Sequence, residues 1–444
     1  MAGYSPSSAA PVIGVLDVDG LHVAGRYLAP ITGVIAHVGA LHAGARRHGL
    51  TQLWLTDAWV RAAGLPDDLD AGGRFREVRH PFVGEATETI HAFPDALAPW
   101  LDLRRKGEAG SSVSLAIPFY DEHGVWGRDV DGATLADALA LYAENVGTPY
   151  YRAAGRTGLD LLGAHEEHKR TGVRAFEKNL PAPAREADTV KELSWVRTLG
   201  ADERGMRFLH SYDKNALWLG AAGVVELGSG GLEERRDTDG VAFDKRLPGY
   251  WHARIGGEER WLCTPSVTWA CERGRQVVID HAYVWTEHGR GLETWYKGLR
   301  QARLTLQETE GTAARLALGA LKLTYAQAIS SFNSQWMTEK ESSFYRPDWR
   351  HALLAQANAN LSRTLHKMEA EGQTPVAVHK DCVYLVSDEE DAVAAAPSSL
   401  TLGKGLGDFK VQDAAVPLAA VAPAFEAERG GIGTLLRLLR AARG

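Results

Sequence analysis

The sequence predicts an α/β protein with more than one domain. Its 444 residues are 45% hydrophobic and 24% charged, which is the composition of an ordinary globular protein long enough for two or three domains with their own cores. In the first third of the chain, short apolar runs alternate with helix-compatible segments. This alternation is typical of a parallel or mixed sheet with helices on its faces.

The amino-terminal third contains the predicted elements of that sheet. Strands are expected at residues 11–20, 52–56 and 112–117, and helices at residues 57–63 and 135–145. The first strand ends in two carboxylates, Asp17 and Asp19, but no convincing set of partner acids follows it in the sequence. A proline-containing, weakly apolar stretch at residues 178–188 is the predicted linker, so a domain boundary is placed there.

The second half changes character from strands to helices. Aromatic-rich strands are expected at residues 249–255, 260–263 and 277–280, and helices from 291 to about 332, from 349 to 371 and from 433 to 443. A break at Glu310-Gly311 divides the first of these helical segments into two helices. Residues 376–386 form two apolar arms around a polar tip, which predicts a hairpin with Asp381 at its apex. The last helix, rich in leucine and arginine, is expected either to pack on the core or to bind a partner or a nucleic-acid backbone.

Charge and cysteine content limit the class of protein. The formal net charge is −7, which argues against a protein that coats nucleic acid by bulk electrostatics. Three irregularly spaced cysteines predict neither a disulfide framework nor a four-ligand zinc site, so a reducing cytoplasm is the expected location. No segment resembles a signal peptide or a membrane span, and no membrane partner is expected.

Two aspartates and a basic helical region suggest a site for phosphoryl transfer. Asp213 follows a short apolar run at a predicted strand-to-helix junction, where it is either a metal ligand or a helix N-cap. Two-metal catalysis requires carboxylates from separate elements, and Asp213 and Asp381 could supply them. Residues 273–350 contain eleven Lys/Arg and eight Asp/Glu, so this region could neutralise a triphosphate. Its candidate cations are Lys322, Arg300 and Arg303.

These motifs, in this order, resemble those of family-B DNA polymerases, and most of all the small protein-primed enzymes of phages and linear plasmids. Asp213-Lys-Asn-Ala-Leu-Trp218 resembles the first palm motif at the aspartate, the leucine and the aromatic position. Lys322 matches the fingers lysine, and Ala377-Val-His-Lys-Asp-Cys382 resembles the third motif, with its principal aspartate retained as Asp381. Lys410 lies in a stretch similar to the lysine-bearing segment after the palm. The resemblance covers residues 200–412.

The resemblance implies a role for each matched residue. Asp213 and Asp381 would hold Mg²⁺ or Mn²⁺, and Lys214 and Lys322, with Arg300 and Arg303, would contact the nucleotide. Trp218 would be the aromatic floor that excludes a ribose 2′-hydroxyl, and Lys410 would contact the primer. The sequence departs from the family's motifs at five positions. Ala326, Ile329 and Ser330 replace the asparagine, tyrosine and glycine of the fingers motif, and Ala377 and His379 replace the tyrosine and the first aspartate of the third motif.

The same resemblance implies a domain order. A ribonuclease-H-like exonuclease-type domain without proofreading is expected at residues 1–190, the first part of a palm at 191–290 and helical fingers at 291–345. The second part of the palm is expected at 346–412 and a reduced thumb or tail at 413–444.

The function that the resemblance implies is template-directed nucleotide addition to DNA, or to a protein hydroxyl, during replication of a phage, a plasmid or a linear replicon. The expected partners are a primer-template, a deoxynucleotide and a terminal or primer protein. Two alternatives remain open at this point. One is a catalytically impaired polymerase-fold scaffold that binds DNA ends or a replication protein, and the other is a primase-polymerase.

Overall fold

The described part of the chain forms three sheets and a set of helices, distributed over two units. The computed structural model describes residues 12–24, 26–29, 38–64, 88–92, 100–105, 113–120, 125–151, 153–164, 180–186, 189–237, 239–334, 344–426 and 430–443. The first unit comprises Met1–Leu161 and Gln301–Ile329, and the second comprises Leu162–Arg300 and Ser330–Gly444. The predicted boundary at residues 178–188 falls inside the second unit, and residues 178–179 and 187–188 lie outside the described residues.

The first unit is built around a seven-stranded mixed sheet with the order β3-β2-β1-β4-β7-β6-β5. Its strands are β1 (Ile13–Asp17), β2 (Gly20–Val23), β3 (Arg26–Ala29), β4 (Gln52–Leu55), β5 (Glu88–Ala92), β6 (Trp100–Arg105) and β7 (Val113–Ala116). Strand β1 pairs in parallel with β4 and antiparallel with β2. The mixed sheet predicted from the alternating pattern is therefore confirmed, and so are the strands near residues 13, 52 and 113.

The helices of the amino-terminal part follow the same alternation. They are α1 (Val38–Arg47), α2 (Asp57–Ala62), α3 (Gly132–Val146) and α4 (Ala154–Ala164). The side chain of Thr56 caps α2 by accepting from the amide of Trp59, and Asp131 caps α3 in the same way from Thr134. Trp59 and Val60 of α2 are buried in one core with Leu16 and Leu55 of the sheet, which is why this segment forms a stable helix despite its short length.

The first unit also includes the second half of the long helix α8 (Glu293–Glu308) and nearly all of the long helix α9 (Thr312–Ser331). Gly311, with a φ of 105°, lies between them, as the predicted break requires. The hydroxyl of Tyr142 lies 2.7 Å from Oγ1 of Thr324, and both side chains are buried. This hydrogen bond ties α9 to α3.

The second unit contains two antiparallel sheets. A four-stranded sheet has the order β10-β13-β11-β12, and a five-stranded sheet has the order β16-β9-β15-β14-β8. The strands are β8 (Ser194–Val196), β9 (Phe208–Lys214), β10 (Leu227–Arg236), β11 (Gly249–Ile255), β12 (Glu258–Cys263), β13 (Val277–Gly289), β14 (Ala377–His379), β15 (Cys382–Ser387) and β16 (Phe409–Pro417). The helices are α5 (Ala182–Arg185), α6 (Leu217–Ala222), α7 (Thr264–Glu272), α10 (Pro347–Ala370), α11 (Leu418–Val421) and α12 (Ile432–Arg443).

The carboxyl-terminal helix α12 packs onto the five-stranded sheet. Leu435 and Leu439 are buried in a core that includes Leu209 and Tyr384 of the sheet. The guanidinium of Arg443 donates to both carboxylate oxygens of Asp413 on β16, at 2.7 and 2.8 Å. Of the two interpretations of this helix, the structure therefore shows packing on the core. Because β16 runs to Pro417, the predicted division between residues 412 and 413 falls inside a strand.

Candidate active site

Strand β9 places Asp213 at one end of the five-stranded sheet. Leu209 and Tyr212 are fully buried, and β9 lies between β15 and β16 in the sheet. Asp213 is the penultimate residue of the strand and its side chain is 16% exposed. A central strand with a packed interior is a rigid support, so it fixes the position of this carboxylate.

Asp213 is not a helix N-cap. The N-cap of the following helix α6 is Ala216, which has a φ of 52° and no side chain that could cap. A backbone turn in the left-handed region separates the aspartate from the helix, and the N-cap alternative considered for Asp213 is therefore wrong.

The hairpin of β14 and β15 carries Asp381 to the same end of the sheet. Lys380, with a φ of 58°, and Asp381 form the two-residue tip, as the apolar arms of this segment predict. Cys382 pairs directly with Asp213 across β15 and β9, and the backbone amide of Lys214 donates to the carbonyl of Asp381 at 2.9 Å. Two acidic residues that are far apart in the sequence, one on β9 and one at the tip of the adjoining hairpin, are thus neighbours.

A row of paired residues crosses the sheet at this level. Paired residues of antiparallel strands project their side chains on the same face, and the row consists of Ser194, His379, Cys382, Asp213 and Lys410. Nζ of Lys410 lies 2.7 Å from Oδ2 of Asp213. Nδ1 of His379 lies 3.2 Å from Oγ of Ser194, so the residue that replaces the family's first aspartate is hydrogen-bonded within the sheet.

The two carboxylates interact electrostatically. Burial and the nearby negative charge of Asp213 raise the pKa of Asp381 to about 6, while Lys410 and Lys380 partly oppose this. A carboxyl whose pKa is raised by burial and by a second acid is a common feature of functional sites. A cation bound between two such carboxylates would offset the repulsion between their charges.

The side chain of Lys214 points away from this row. Residues 213 and 214 are consecutive in a strand, so their side chains lie on opposite faces. Nζ of Lys214 contacts Oγ1 of Thr364 at 3.1 Å and lies 5.1 Å from the ring centre of Phe409. Burial and the nearby charge of Lys367 lower the pKa of Lys214 to about 8. The predicted nucleotide contact of this residue can therefore involve its backbone but not its side chain in this arrangement.

Sequence reasoning did not find Asn215, which organises the loop before Lys410. Asn215 is buried, and its amide donates to the carbonyl of Asp408 at 2.8 Å. Its side chain donates to the carbonyl of Gly403, and its own carbonyl accepts from Gly407, both at 2.9 Å. These bonds fasten the loop at residues 401–408 to the end of β9. An asparagine next to a candidate ligand is the only signal the sequence offers for this role.

The remaining predicted residues lie on other elements. Trp218 is half-buried on α6, against a core that contains Tyr250 and Trp285. Arg300 is exposed on α8, and Lys322 is half-buried on α9 in the first unit. Arg303 is only 2% exposed and donates from Nη1 to the hydroxyl of Tyr325 at 2.7 Å. In this arrangement Arg303 links two helices rather than offering its charge to a ligand.

Asp17 and Asp19, at the end of β1, form a small polar group with His22. Their oxygen and nitrogen atoms lie close enough together for one cation. However, the carboxylate of Asp17 accepts from the amides of Val18 and Gly132 and from the hydroxyl of Thr56, at 2.6–2.8 Å. Asp17 therefore joins β1 to the ends of β4 and to the start of α3, which is a structural role.

Comparison with known proteins identifies the fold more specifically. A family described as a domain of unknown function, DUF8841, matches residues 32–151. No curated protein matches the sequence. Among solved structures, the phi29 DNA polymerase complexed with primer-template DNA is similar over 90% of this chain and 83% of that chain, with 12% identity and a TM-score of 0.50. The fold is polymerase-like. The orthorhombic crystal form of phi29 DNA polymerase covers 91% of this chain and 85% of that one, with 11% identity and a TM-score of 0.49.

The polymerase-like fold agrees with the mixed α/β class and the distant polymerase resemblance expected from the sequence. No helix among the described residues is both long and apolar enough to cross a membrane.

Proposed function

We propose that the protein adds nucleotides to a DNA primer, or to a protein hydroxyl, under the direction of a template. The observation that carries the proposal is the placement of Asp213 on β9 and of Asp381 at the tip of the adjoining hairpin, at one end of an antiparallel sheet and next to Lys410, in a polymerase-like fold. The proposed partners are a primer-template, a deoxynucleotide and a terminal or primer protein.

The residues present fit a magnesium or manganese site. Mg²⁺ in phosphoryl-transfer enzymes is held by one or two carboxylates together with substrate phosphates and water. Asp213 and Asp381 provide two carboxylates, and burial together with the negative charge of Asp213 raises the pKa of Asp381 to about 6. When bound, the metal ions would stabilise the charge on the attacking and leaving oxygens.

The chain itself would position and neutralise the reacting groups. Strand β9 holds Asp213, its pairing with β15 holds the hairpin tip that carries Asp381, and the loop fastened by Asn215 holds β16 and Lys410 beside them. The ammonium of Lys410, which now pairs with Asp213, is half exposed and can also reach a phosphate of the primer end. Fixed charges of this kind require no reorganisation during the reaction.

The proposed contacts to the triphosphate are based on the sequence motifs. Lys322 and Arg300 are the proposed cations, and the backbone after Asp213 is the proposed phosphate cradle. Arg303 is left out because its guanidinium is buried against Tyr325. Trp218 stays in the proposal as the group that discriminates against ribonucleotides.

The domain assignment is also part of the proposal. The seven-stranded sheet with helices α1 to α4 would correspond to the exonuclease-type domain, helices α8 and α9 to the fingers, and the five-stranded sheet to the palm. The carboxyl-terminal elements would be what remains of a thumb. The mixed sheet of the first unit and the antiparallel sheet of the second support this assignment.

Primer extension tests the proposed function. Purified protein is incubated with a primed template, labelled deoxynucleotides and either Mg²⁺ or Mn²⁺, and incorporation is followed with time. Asp213→Asn and Asp381→Asn are each expected to reduce the rate at least about a hundredfold, because each removes a charge that holds the metal. Asp202→Asn, which changes an exposed acid on the loop before β9, is the matched control and should keep the parental rate.

Two outcomes would count against the proposal. Absence of incorporation with both metals, while the protein still retards DNA on a gel, would favour a scaffold. Incorporation on unprimed single strands with a preference over primed templates would favour a primase-polymerase.

A further inference from the structure

The second unit contains a large groove that is separate from the paired aspartates. Its volume is about 840 Å³, within the range of about 300–1,000 Å³ that ligand-binding pockets occupy. One wall is β12, the edge strand of the four-stranded sheet, and another is α7. Residues 189–193 and one stretch of α10, around Asn358 and Ser362, complete the lining.

The groove combines cations with indole rings. Its charged lining residues are four basic and two acidic side chains, Lys191, Arg260, Arg273, Arg275, Glu186 and Glu259. The groove is thus locally positive in a chain whose formal charge is −7. Trp261 projects from β12 and Trp269 from α7, and both are half-buried. A groove with a surplus of basic side chains and with partly exposed indole rings suits a flexible polyanion that carries aromatic groups.

A strip of aromatic rings leads out of the groove across the sheet. Trp261 lies with its ring centre 5.1 Å from that of His252, 4.8 Å from that of His281 and 5.5 Å from that of Tyr283. These residues come from β12, β11 and β13 and project on one face, because His252 pairs with both Trp261 and His281. None of the four rings is fully buried. The strip therefore offers successive stacking surfaces over three neighbouring strands.

The acidic side chains near the strip are already paired. Glu234 accepts from Arg236 and His281, and Asp280 accepts from His252. Glu259 forms an ion pair with Arg254 at 3.1 Å. Arg260 and Arg275 are exposed at the rim of the groove, and the guanidinium of Arg260 lies 3.9 Å from a carboxylate oxygen of Glu258. Paired acids repel a phosphate less than free ones, and an exposed ion pair of this length contributes little free energy, so both arginines can contact a phosphate.

We propose that this groove and its aromatic strip bind single-stranded DNA. Bases would stack on Trp261 and on the rings beside it, while the phosphates would contact Arg260 and Arg275. Proteins that hold single strands without sequence preference use this combination of stacking rings and a positive channel. A peptide added to the edge of β12 would use the backbone of that strand but would leave the rings on the sheet face without a role. The inference goes beyond nucleotide addition and does not require it.

A binding titration tests the site. The probe is a fluorescein-labelled dT16 oligonucleotide, and its anisotropy is measured with the full chain in EDTA, so that no nucleotide addition can occur. The double variant Arg260→Ala/Arg275→Ala is expected to weaken binding about tenfold and to lower the salt slope by about 1.4, since each lost phosphate contact on a single strand accounts for about 0.7. Trp261→Ala is expected to weaken binding about tenfold or more.

Matched variants separate binding from folding. Trp261→Phe keeps a stacking ring and should stay within about threefold of the parent. Arg246→Ala removes an exposed arginine outside the groove and should bind like the parent. If circular dichroism shows that Trp261→Ala is unfolded, the binding of dT16 by Arg260→Ala/Arg275→Ala still tests the proposal.

Ultraviolet cross-linking gives a second readout. The proposal expects the cross-linked dT16 to map to the peptide that contains β12 and the start of α7. Equal dT16 affinity in the parent and in the arginine double variant, or cross-links found only outside the groove lining, would overturn it.

Discussion

Lys410 and Asp213 form an ion pair of 2.7 Å between neighbouring strands of the five-stranded sheet. They are almost 200 residues apart in the chain, and strand pairing brings them together. The lysine is about half exposed and the aspartate is 16% exposed, so one charge faces solvent while the other is held against the sheet. A cation in this position can neutralise either the aspartate or a phosphate that approaches it.

Loss of the Lys410 charge should slow nucleotide addition. Lys410→Met is expected to reduce the incorporation rate about tenfold or more, because a hydrogen bond to a charged group contributes about 1.5–3 kcal/mol. The measurement is single-nucleotide primer extension at saturating and subsaturating Mg²⁺. Lys245→Met, at an exposed loop lysine, is the control. Equal rates for Lys410→Met and the parent would contradict the role given to this lysine.

Replacement of Lys214 by methionine, on the strand next to that of Lys410, should have little effect on the rate of nucleotide addition. The side chain of Lys214 contacts Thr364 and Phe409 on the opposite face of the sheet from Asp213. Lys214→Met is expected to keep incorporation within about threefold of the parent, and to leave the free energy of unfolding unchanged or raise it by about 1 kcal/mol, since a partly buried charge is removed. A loss as large as that of Lys410→Met would show that the Lys214 side chain contacts the nucleotide after all.

Stability should fall in mild acid because of His351. This residue is buried, with Nδ1 2.8 Å from the hydroxyl of Tyr250, and its Nε2 has no hydrogen-bond partner among the described residues. Burial, together with the charge of Arg350, lowers the pKa of His351 from 6.5 to about 4. The unfolded chain therefore binds more protons than the folded one between these pH values. The contribution of neutral His351 to the free energy of unfolding is complete above pH 6.5 and is lost as the pH falls towards 4.

Urea unfolding at pH 7 and pH 4.5 measures this contribution. The parent should lose on the order of 2–3 kcal/mol from this histidine, and His351→Gln should lose correspondingly less between the two pH values. His366→Gln, at an exposed position of the same helix α10, controls for the removal of a histidine. The same pH dependence in the parent and in His351→Gln would show that the buried histidine does not cause it.

Two glycine-to-alanine changes should have effects of opposite sign. A Cβ at Gly228 on β10 would lie 2.3–2.7 Å from atoms of Trp285, whereas a Cβ at Gly298 on α8 would meet nothing within 4 Å. Gly228→Ala is expected to destabilise the protein by about 1–3 kcal/mol through overpacking. Gly298→Ala should stabilise it by about 0.5–1 kcal/mol through helix propensity. Thermal unfolding of both variants checks the pair, and a stable Gly228→Ala protein would contradict the close packing of Trp285.

Local patterns predicted many individual elements. Short-range signals predict the tip of the hairpin at Asp381, the strand that carries Asp213 near its end and the two helices on either side of Gly311. Each depends on residues close together in the sequence, such as apolar alternation or a glycine between helical segments.

Other features of the structure could not be predicted from local sequence patterns. The glycine-rich residues 228–231 belong to a long strand, because the ring of Trp285 packs over Gly228 from the neighbouring strand. Similarly, Arg303 has the spacing of a surface cation but is buried against Tyr325. In both cases a distant residue determines the environment, and local propensity is overridden.

The sequence by itself predicted the types of many of the described elements, since helical and strand periods and the polar tips of turns are local properties. It also suggested two candidate metal ligands, Asp213 and Asp381, through motifs that resemble those of a polymerase family. The tertiary structure decided which side chains share a surface. The register of β9, β15 and β16 places Lys410 rather than Lys214 beside Asp213, and the order of β11, β12 and β13 collects the rings around Trp261. Strand register depends on hydrogen bonds between segments that are remote in the chain, and only the folded backbone fixes them.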